Sequence, residues 1–495
     1  MPERRNAIGE NRPASSTRLE RIPATVRHVH LIGVGGSAMA ALAGMMTERG
    51  LHVTGSDNQL YEPAASLLRR LRIEIRPSYH PSNLEPPPDL VVVGNVITRS
   101  NPEAIALLST NIPYLSMPEA LRHFFLKERQ VLMVAGTHGK TTSTAMMARV
   151  LDVAGRDPSM MVGGMALDFS ANYRCGSGPE FVIEGDEYDT AFFDKGPKFL
   201  HYRPSGTIIT AVEFDHADIY RDLDHVKASF RALSEQLGSD DILAVSADFP
   251  HALEISEGAR ARRLTFGLIS GEYRAAGVEV DAHGALFSIA RRERPIARDL
   301  RLPIGGRMNV ANALGVWVLL KEFGLSDQEL ARGLANFNGV ARRQEVVGEA
   351  AGVTVIDDFA HHPTAIRATL EAIAERYSGR RILAAFEPRS NTARRSIFQA
   401  DFAEAFDRAA RVYLAPVYFK ENDPIPPGSR LDIAVLASAI ATRGPAAFAC
   451  ASTDAIVDGM IADCRADDVL LCMSNGPFED LANRLVKALR HSVRG

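Results

Sequence analysis

The sequence predicts an α/β protein with three domains in series. Its 495 residues exceed what a single hydrophobic core usually organises. Short apolar runs alternate with segments that suit helices, as in sheets of parallel strands. Two of these runs end in glycine-rich turns, GVGGSAMA from Gly33 and AGTHGKTT from Ala135. A glycine-rich turn between a strand and a helix is typical of α/β domains that bind phosphate groups.

The apolar runs divide the chain into four segments. Residues 1–26, rich in Arg, Pro and Ser, predict a disordered tail. Residues 27–128 predict a Rossmann-like domain, and residues 129–341 a phosphate-loop, ATPase-like parallel sheet. Residues 342–495 predict a second Rossmann-like domain. In chain order, strands are expected at 28–34, 51–54, 90–93, 112–115, 181–183, 207–212, 242–245, 353–356, 382–386, 412–416 and 469–473, with short antiparallel strands within 260–304 and a helix at 309–323.

Composition narrows the class of protein. With 46% hydrophobic and 23% charged residues, the chain has the composition of a globular protein, and its net charge of −4 indicates no nucleic-acid or membrane-surface partner. Its four cysteines have no CxxC spacing, which argues against a disulfide framework or a zinc site. No apolar run reaches the roughly 18 residues of a membrane span, so we predict a cytoplasmic protein. We also expect a monomer or weak homodimer.

The turn after the run 131–135 is the strongest local signal for a ligand. Gly136 and Gly139 allow a tight turn whose N–H groups point inward, and Lys140 and Thr141 follow at the expected start of a helix. A phosphate would lie on this helix terminus, with the lysine as a point charge and the threonine hydroxyl on Mg²⁺. Val134 stands where a full Walker motif has glycine, and a structural strand–turn–helix connection could use the same glycines. ATP, or another nucleoside triphosphate, is the expected ligand.

The first glycine cluster is a weaker signal. Gly33, Gly35 and Ala38 fit a relaxed dinucleotide fingerprint, and Asp57 lies where a ribose-binding acid would follow. The pattern is compatible with NAD, with a nucleoside diphosphate sugar or with a purely structural turn.

Acidic and histidine-containing loops follow later strands. Glu184 to Glu187 and Glu213 to His216 come after neighbouring runs, and we expect them to meet at the carboxyl edge of one sheet, where they could hold Mg²⁺. The alternative is a pair of solvated acidic turns. In the last domain, 357–363 contains His361 and His362, one of which could face a nucleotide or begin a helix. Arg389, in the loop after 382–386, could form a bidentate pair with a carboxylate.

Five strings in order resemble the Mur ligases, ATP-dependent enzymes of bacterial cell-wall synthesis that form peptide bonds. They are AGTHGKTT, EGDEYD, EFDHADIY, GVARRQEV and DDFAHHPTAI, and the resemblance extends over about residues 27–490. Two branches of this family begin with GxGG and a UDP-N-acetylmuramate domain. One adds L-alanine in de novo peptidoglycan synthesis, and the other adds the recycled tripeptide L-alanyl-γ-D-glutamyl-meso-diaminopimelate. GNVITRSNPE at 94–103, the long link EYDTAFFDKGPKFLHY at 187–202, FEPRSNT at 386–392 and MSNGPF at 473–478 resemble the second branch.

The resemblance implies an ADP-forming carbon–nitrogen ligase that acts through an acyl phosphate, with ATP and Mg²⁺. It assigns 27–128 to UDP-N-acetylmuramate, 129–341 to ATP and 342–495 to the C-terminal Mur ligase domain. Catalysis is implied for Lys140, Glu184 and His216, and metal binding for Thr141, Glu184 and His216. Nucleotide contacts are implied for Gly136, Thr137, His138, Gly139, Lys140, Thr141, Thr142, Asn309, Arg343 or its neighbour Arg342, Asp358 and His362. Substrate contacts are expected for Gly35, Gly36, Ser37, Ala38, Asp57, Asn95, Arg389 and Asn391, and charge adds Lys195 and Lys198 as weaker candidates for the tripeptide.

Three positions depart from the family pattern. Met308 replaces a histidine before the adenine-contacting asparagine, and Ala211 replaces an asparagine common before the EFDH glutamate. Phe230 stands where several relatives have a carbamylated lysine, an absence that agrees with the N-acetylmuramate branches.

Two further hypotheses are an NAD-dependent oxidoreductase built on the first glycine cluster and a nucleotide-binding switch protein without catalysis. The first leaves AGTHGKTT unexplained, and the second leaves the acidic loops unexplained.

Overall fold

A computed structural model describes residues 18–419 and 423–492 of the chain. The predicted class is confirmed, because the chain forms mixed α/β domains around parallel sheets. Residues 1–17 of the predicted disordered tail lie outside the described residues. Residues 18–26 are placed, and the Arg18 guanidinium donates to the Glu119 carboxylate at 2.9 Å. This end of the predicted tail is therefore held by an ion pair with a buried side chain, which local composition could not reveal.

The helices and strands follow in chain order. The N-terminal part contains β1 His28–Ile32, α1 Ser37–Glu48, β2 His52–Ser56, α2 Ala64–Arg70, β3 Glu74–Arg76, a 3-10 turn Pro81–Leu84, β4 Leu90–Val93, α3 Pro102–Leu108, β5 Tyr114–Ser116, α4 Met117–Leu121 and a π-helical turn Arg122–Leu126. The central part contains β6 Gln130–Ala135, α5 Lys140–Val153, β7 Ser159–Ala166, β8 Ala171–Arg174, β9 Glu180–Gly185, β10 Asp189–Ala191, β11 Asp194–Pro197, a 3-10 turn Lys198–His201, β12 Gly206–Ile209, α6 Leu223–Gln236, β13 Ile242–Ser246, α7 Pro250–Ile255, β14 Arg262–Gly267, β15 Tyr273–Asp281, β16 Gly284–Arg291, β17 Arg294–Leu302, α8 Arg307–Glu322 and α9 Asp327–Ala335. The C-terminal part contains β18 Glu345–Ala350, β19 Val353–Asp358, α10 Pro363–Arg376, β20 Ile382–Phe386, a 3-10 turn Ser396–Phe398, α11 Gln399–Ala405, β21 Arg411–Leu414, a 3-10 turn Pro427–Ser429, α12 Ile433–Arg443, β22 Ala446–Ala449, α13 Thr453–Asp463, β23 Val469–Met473, a 3-10 turn Phe478–Asp480 and α14 Leu481–Ser492.

These elements form two compact units. Among the described residues, unit 1 comprises 18–212, 224–265 and 315–333, and unit 2 comprises 213–223, 266–314, 334–419 and 423–492. Unit 1 therefore holds the N-terminal domain and most of the central sheet. Unit 2 holds the C-terminal domain, the EFDH loop and the strands β15 to β17.

The N-terminal sheet of unit 1 has the order β3-β2-β1-β4-β5, and all of its strand pairs are parallel. The strand order reverses between β1 and β4, which is where ligands bind in open α/β sheets. The glycine turn after β1 opens at this point. Helix α1 begins there with Gly36 as its N-cap, and most of its residues are buried. The fold thus presents a helix N-terminus at the reversal point.

The central sheet of unit 1 places the two predicted site motifs side by side. Strand β6 lies between β12 and β9, and it runs parallel to both. In the β6–β9 register, Val134 lies opposite Glu184 and Ala135 opposite Gly185. The glycine turn after β6 and the acidic loop after β9 therefore leave the sheet at the same edge, as the sequence predicted.

Unit 2 contains a second sheet of the order β18-β19-β23-β20-β21-β22, in which only β18 pairs antiparallel with its neighbour. Apolar side chains on its two faces form separate buried clusters.

Residues 260–304 were expected to form short strands, but β15 and β17 have nine residues each and β16 has eight. Irregular pairing, for example between Ala276 and Glu279, lets these long strands bend without ending.

Within residues 18–419 and 423–492, no helix combines the length and apolar character that spanning a bilayer demands.

We predict that Phe386→Ala destabilises the C-terminal domain by about 3–5 kcal/mol, the usual cost of removing a buried aromatic ring. Phe386 is 0% exposed, and its ring centroid lies 5.2 Å from that of Phe402 and 5.8 Å from that of Phe406. Denaturant unfolding followed by circular dichroism would measure the change. Phe448→Ala is the matched control, since Phe448 is 39% exposed and should cost about 1 kcal/mol or less. Equal costs at both positions would contradict the packing described.

Candidate functional site

The turn from β6 to α5 forms a compact loop at the start of a 14-residue helix. Gly139 is the helix N-cap and has a left-handed backbone with φ of +80°, and Gly136 has φ of +134°. A Cβ on Gly136 would collide with the Thr210 hydroxyl, which donates to the carbonyls of Ala135 and His138. Both glycines are therefore required by the turn itself. The loop carries the chain to the helix N-terminus, where the N–H groups of the first turn and the helix dipole favour an anion.

Lys140 directs its ammonium group back over this loop. The ammonium donates to the Gly136 carbonyl at 2.6 Å and to the Glu187 carboxylate at 3.0 Å. Burial works against the charged lysine, but Glu187 and Glu184 outweigh it and raise the pKa of Lys140 above its ordinary value. The lysine is therefore a fixed positive charge at neutral pH. Glu187 lies in the predicted acidic motif, but its pairing with Lys140 was not predicted.

Thr141 and Glu184 bring two hard oxygen donors together. The Thr141 hydroxyl donates to Glu184 Oε1 at 3.1 Å, and the Gly163 amide donates to Glu184 Oε2 at 2.8 Å. The Gly163 contact fixes the direction of the carboxylate. A threonine hydroxyl beside a carboxylate on a phosphate-binding loop is a donor set that suits Mg²⁺. These residues therefore fit the metal that the sequence predicted for them.

The first glycine cluster is organised by Asp57. The Gly35 amide donates to Asp57 Oδ2 at 2.8 Å, and the Tyr79 hydroxyl donates to Oδ1 at 3.1 Å. Burial and the nearby carboxylate raise the pKa of Tyr79, so its hydroxyl stays protonated and keeps donating. Gly36 and Ser37 are exposed at the start of α1, and Ala38 and Asn95 are partly exposed. The Gly35 amide is therefore used within the loop, whereas the start of α1 is exposed, and substrate contacts for these residues stay predictions.

In the EFDH loop of unit 2, residues 213–216, the buried carboxylate of Asp215 lies near the imidazoles of two histidines. Asp215 Oδ2 lies 4.0 Å from His216 Nε2 and 3.9 Å from His361 Nε2. Burial opposes its charge, but His216 and His361 lower the pKa of Asp215 well below the usual range. His216 has a left-handed backbone with φ of +56°. Glu184 belongs to unit 1 and His216 to unit 2, so a shared metal site for them stays a prediction.

Asp358 and His362 have defined structural partners in unit 2. Asp358 accepts hydrogen bonds from the amides of Gln344 at 2.8 Å and Ala360 at 2.7 Å, which fixes the loop after β19. His362 is the N-cap of α10, and its Nδ1 accepts a hydrogen bond from the Thr364 amide at 3.3 Å. Because Nδ1 is the acceptor, the proton lies on Nε2, which donates to the Phe214 carbonyl at 3.2 Å. The helix-start alternative for 361–363 is thus realised by His362, and nucleotide contacts for both residues stay predictions.

Three other predicted nucleotide residues also lie in unit 2. The Arg342 guanidinium donates to Asp357 at 2.8 Å and to the Ser474 carbonyl at 2.8 Å, whereas Arg343 lies over the Phe359 ring, 4.6 Å from its centroid. Both arginines that the resemblance left open are therefore held within unit 2, and the phosphate contact of either stays a prediction. The Asn309 side-chain amide donates to the Gly305 carbonyl at 2.7 Å and is 5% exposed.

The candidate tripeptide residues differ in their surroundings. The Arg389 side chain is 53% exposed, and its nearest carboxylate, Glu387, is 3.5 Å away. Asn391 donates to Asp218 at 3.0 Å. Lys195 pairs with Asp189 at 2.9 Å, and the buried Lys198 pairs with Asp186 at 2.5 Å. Lys198 thus contributes to the acidic loop in this structure, whereas Arg389 keeps an exposed guanidinium.

Comparison with known proteins identifies relatives along the whole described fold. Residues 28–129, 134–320 and 342–476 match the Mur ligase family catalytic domain, the Mur ligase middle domain and the Mur ligase glutamate ligase domain. The UDP-N-acetylmuramate–L-alanyl-γ-D-glutamyl-meso-2,6-diaminoheptandioate ligase of Haemophilus influenzae is 36% identical over 468 residues, which cover 94% of this chain and 100% of that protein. The UDP-N-acetylmuramate–L-alanine ligase of Agathobacter rectalis is 31% identical over 93% of this chain and 98% of that protein.

Two solved structures share the fold. A murein peptide ligase from Psychrobacter arcticus has a TM-score of 0.69 and 31% identity, with 94% of this chain and 99% of that chain covered. A UDP-N-acetylmuramate–alanine ligase from Thermotoga maritima has a TM-score of 0.77 and 25% identity, with 94% of this chain and 100% of that chain covered.

We predict that Gly136→Ala lowers the affinity for ATP with Mg²⁺ at least about tenfold, because the added methyl group displaces Thr210 or the loop. Isothermal titration calorimetry would measure it. Gly155→Ala is a matched control, since Gly155 also has a positive φ, of +77°, but has nothing within 4 Å of the added carbon. The control should lose about 1 kcal/mol of stability and keep its nucleotide affinity. Unchanged nucleotide binding by Gly136→Ala would show that the loop does not bind the phosphates.

Proposed function

The chain belongs to the Mur ligase family, and from this premise we propose that it joins UDP-N-acetylmuramate to the tripeptide L-alanyl-γ-D-glutamyl-meso-diaminopimelate at the expense of ATP. The observation that carries the proposal is the full-length match to the tripeptide-adding enzyme of Haemophilus influenzae at 36% identity, against 31% over a similar length for the alanine-adding enzyme of Agathobacter rectalis. The protein would act in the cytoplasm, in the recycling of murein peptides, as a monomer or weak homodimer.

The first step would be a phosphoryl transfer. The lactyl carboxylate of UDP-N-acetylmuramate attacks the γ-phosphate of ATP, the bond from phosphorus to the β-phosphate oxygen breaks, and ADP leaves. The product is an acyl phosphate, which acylates an amine far more readily than a free carboxylate does. Lys140 and the N–H groups of the loop would stabilise the charge on the transferring phosphoryl group, since this chemistry depends on positioning and electrostatics.

The second step would form the amide. The neutral α-amine of the tripeptide attacks the acyl carbon and the carbon–nitrogen bond forms. The bond between the acyl carbon and the phosphate oxygen breaks, inorganic phosphate leaves with that electron pair, and the nitrogen releases one proton to the solvent. The protein would contribute mainly by holding the amine and the acyl phosphate together, which replaces a collision in solution with a reaction between fixed neighbours.

Thr141 and Glu184 would hold Mg²⁺, and in our proposal His216 contributes to a second metal position. Mg²⁺ supplies charge neutralisation at the phosphate oxygens.

We propose that side chains and backbone groups of three regions bind the UDP-sugar and the nucleotide. The start of α1, at Gly36, Ser37 and Ala38, would bind the diphosphate of the UDP-sugar, with Gly35, Asp57 and Asn95 shaping that end of the domain. Asn309, Arg343, Asp358 and His362 would contact ATP, with Arg343 as the arginine that faces phosphate.

Adding L-alanine alone is the second candidate, because the Thermotoga maritima alanine ligase has the higher TM-score of the two structures compared. Phosphate release with ATP, Mg²⁺ and UDP-N-acetylmuramate separates the two functions when either L-alanine or the tripeptide is offered. We expect turnover with the tripeptide and at least about a hundredfold lower kcat/KM with L-alanine, because a site built for charged groups loses those contacts with a small acceptor. Equal or better turnover with L-alanine would overturn our choice of acceptor.

We further predict that Arg389→Ala raises the KM for the tripeptide about tenfold or more and leaves the KM for ATP within twofold. The exposed guanidinium is suited to a bidentate pair with a carboxylate of the peptide. Steady-state kinetics with each substrate varied in turn would measure both constants. Arg408→Ala, which removes an exposed arginine of the same domain, is the control and should change neither. An unchanged tripeptide KM in Arg389→Ala would remove Arg389 from the peptide site.

A further inference from the structure

The hairpin formed by β10 and β11 is fixed at its base to the acidic loop. The Asp186 carboxylate accepts from the Tyr188 amide at 3.0 Å and from the Lys198 ammonium at 2.5 Å. These two residues lie just before β10 and just after β11. Burial opposes the charge of Asp186, but Lys198 lowers its pKa and keeps it ionised. One carboxylate therefore joins both ends of the hairpin, directly beside Glu187, which binds Lys140.

The tip of the hairpin packs on the N-terminal domain. The Phe193 ring meets the Tyr114 ring of β5 edge to face, with centroids 5.1 Å apart, and Phe192 packs at 5.0 Å on Phe193. Both phenylalanines extend a buried cluster of the N-terminal sheet that includes Val91 and Val93 of β4. Helix α4 also contacts β10. The hairpin thus reaches from the acidic loop to the core of the domain that would bind the UDP-sugar.

Charged side chains also pack around the contact between Phe193 and Tyr114. The Arg18 guanidinium lies over the Phe193 ring, 4.7 Å from its centroid, and binds Glu119 at 2.9 Å. Next to Phe193, Asp194 pairs with His201 at 3.0 Å. Glu119 is 1% exposed, and it also accepts from the Ser116 amide and hydroxyl at the start of α4. These contacts hold the hairpin tip through polar and aromatic interactions at once.

We propose that Phe193 is a positioning residue for the ligase reaction, and that with Arg18 and Tyr114 it clamps the UDP-sugar domain to the acidic loop of the phosphate site. The proposal rests on the proposed function, because the clamp matters to catalysis only if the two substrates bind to these two domains. The contacts of Phe193 given above are with Tyr114, Phe192 and Arg18, which are not among the residues proposed to bind substrate. It acts through the hairpin and Asp186, which fix where Glu187 and Lys140 lie.

The clamp has a specific mechanical consequence. Phosphoryl transfer to a carboxylate requires the reacting atoms to lie about 3–3.5 Å apart, and a misplacement of about 1 Å can lower the rate a hundredfold. A loosened hairpin would lower kcat while each substrate still finds its own intact pocket. A residue that merely stabilises the fold would instead change stability and the two affinities together.

The test compares Phe193→Ala, Phe193→Tyr and Phe448→Ala with the wild-type chain. Phe448 is a matched control, because it is a partly exposed phenylalanine with an arginine, Arg411, 5.8 Å from its ring centroid. Four quantities are measured: kcat with the tripeptide, the Kd for UDP-N-acetylmuramate, the Kd for ADP, and hydrogen exchange of the amides of 184–190 without ligands.

We expect Phe193→Ala to lower kcat about tenfold, to leave both Kd values within twofold, and to speed exchange at 184–190 about tenfold or more. Phe193→Tyr keeps the ring and should restore all four values, and Phe448→Ala should match the wild type. Unchanged kcat or unchanged exchange in Phe193→Ala would overturn the proposal, as would a loss of both affinities that Phe193→Tyr does not restore. If the wild type binds no UDP-N-acetylmuramate, the proposed function fails, and the exchange measurement still decides whether the clamp exists.

Discussion

The turn between β6 and α5 is the constraint on which the rest of the site depends. It brings a lysine ammonium, a threonine hydroxyl and a helix N-terminus into one small volume, and this concentrates positive charge in a buried place. The carboxylates after β9 balance that charge: Glu187 binds Lys140, and Glu184 accepts from Thr141. Because parallel strands end at a common edge, β6 and β9 need only be neighbours for this balance to form. The neighbouring order of these strands is therefore as important to the site as the glycines are.

Paired charges also explain how the acidic loop keeps its shape. Buried carboxylates are tolerated when hydrogen bonds and opposite charges compensate for lost hydration. Asp186 meets this condition through Lys198 and the Tyr188 amide. Asp358 of unit 2 accepts from two backbone amides and Thr369, but burial outweighs these bonds and raises the pKa of its carboxyl above the usual value. In both places the carboxylate stabilises a loop conformation. A substitution at either would be expected to disturb the site through the backbone, even where the side chain itself touches no ligand.

Much of the fold and part of the site could be predicted because their signals are local. The glycine turns, the acidic motif after β9 and the parallel strands are encoded in short stretches, and the shared edge of β6 and β9 follows from strand direction alone. The contacts of Glu184 with Gly163 and of Thr210 with the phosphate-loop carbonyls could not be predicted, since they join segments 21 and 72 residues apart. The same holds for Arg18, whose ion pair with Glu119 spans 101 residues. The internal bond of Asn309 was missed because a helical asparagine has no distinctive pattern in sequence.

The tie between Asp57 and Gly35 bears on how fingerprints of this kind are interpreted. An acidic residue at the end of the second strand is usually taken to bind the hydroxyls of a ribose. Here Oδ2 of that carboxylate is bound by the glycine-turn amide and Oδ1 by the Tyr79 hydroxyl. The aspartate thus links the glycine turn to Tyr79 and holds the turn in its conformation. A sequence can therefore keep the spacing of a dinucleotide motif while its acid holds the loop in shape, through partners that lie as far away in the chain as Tyr79.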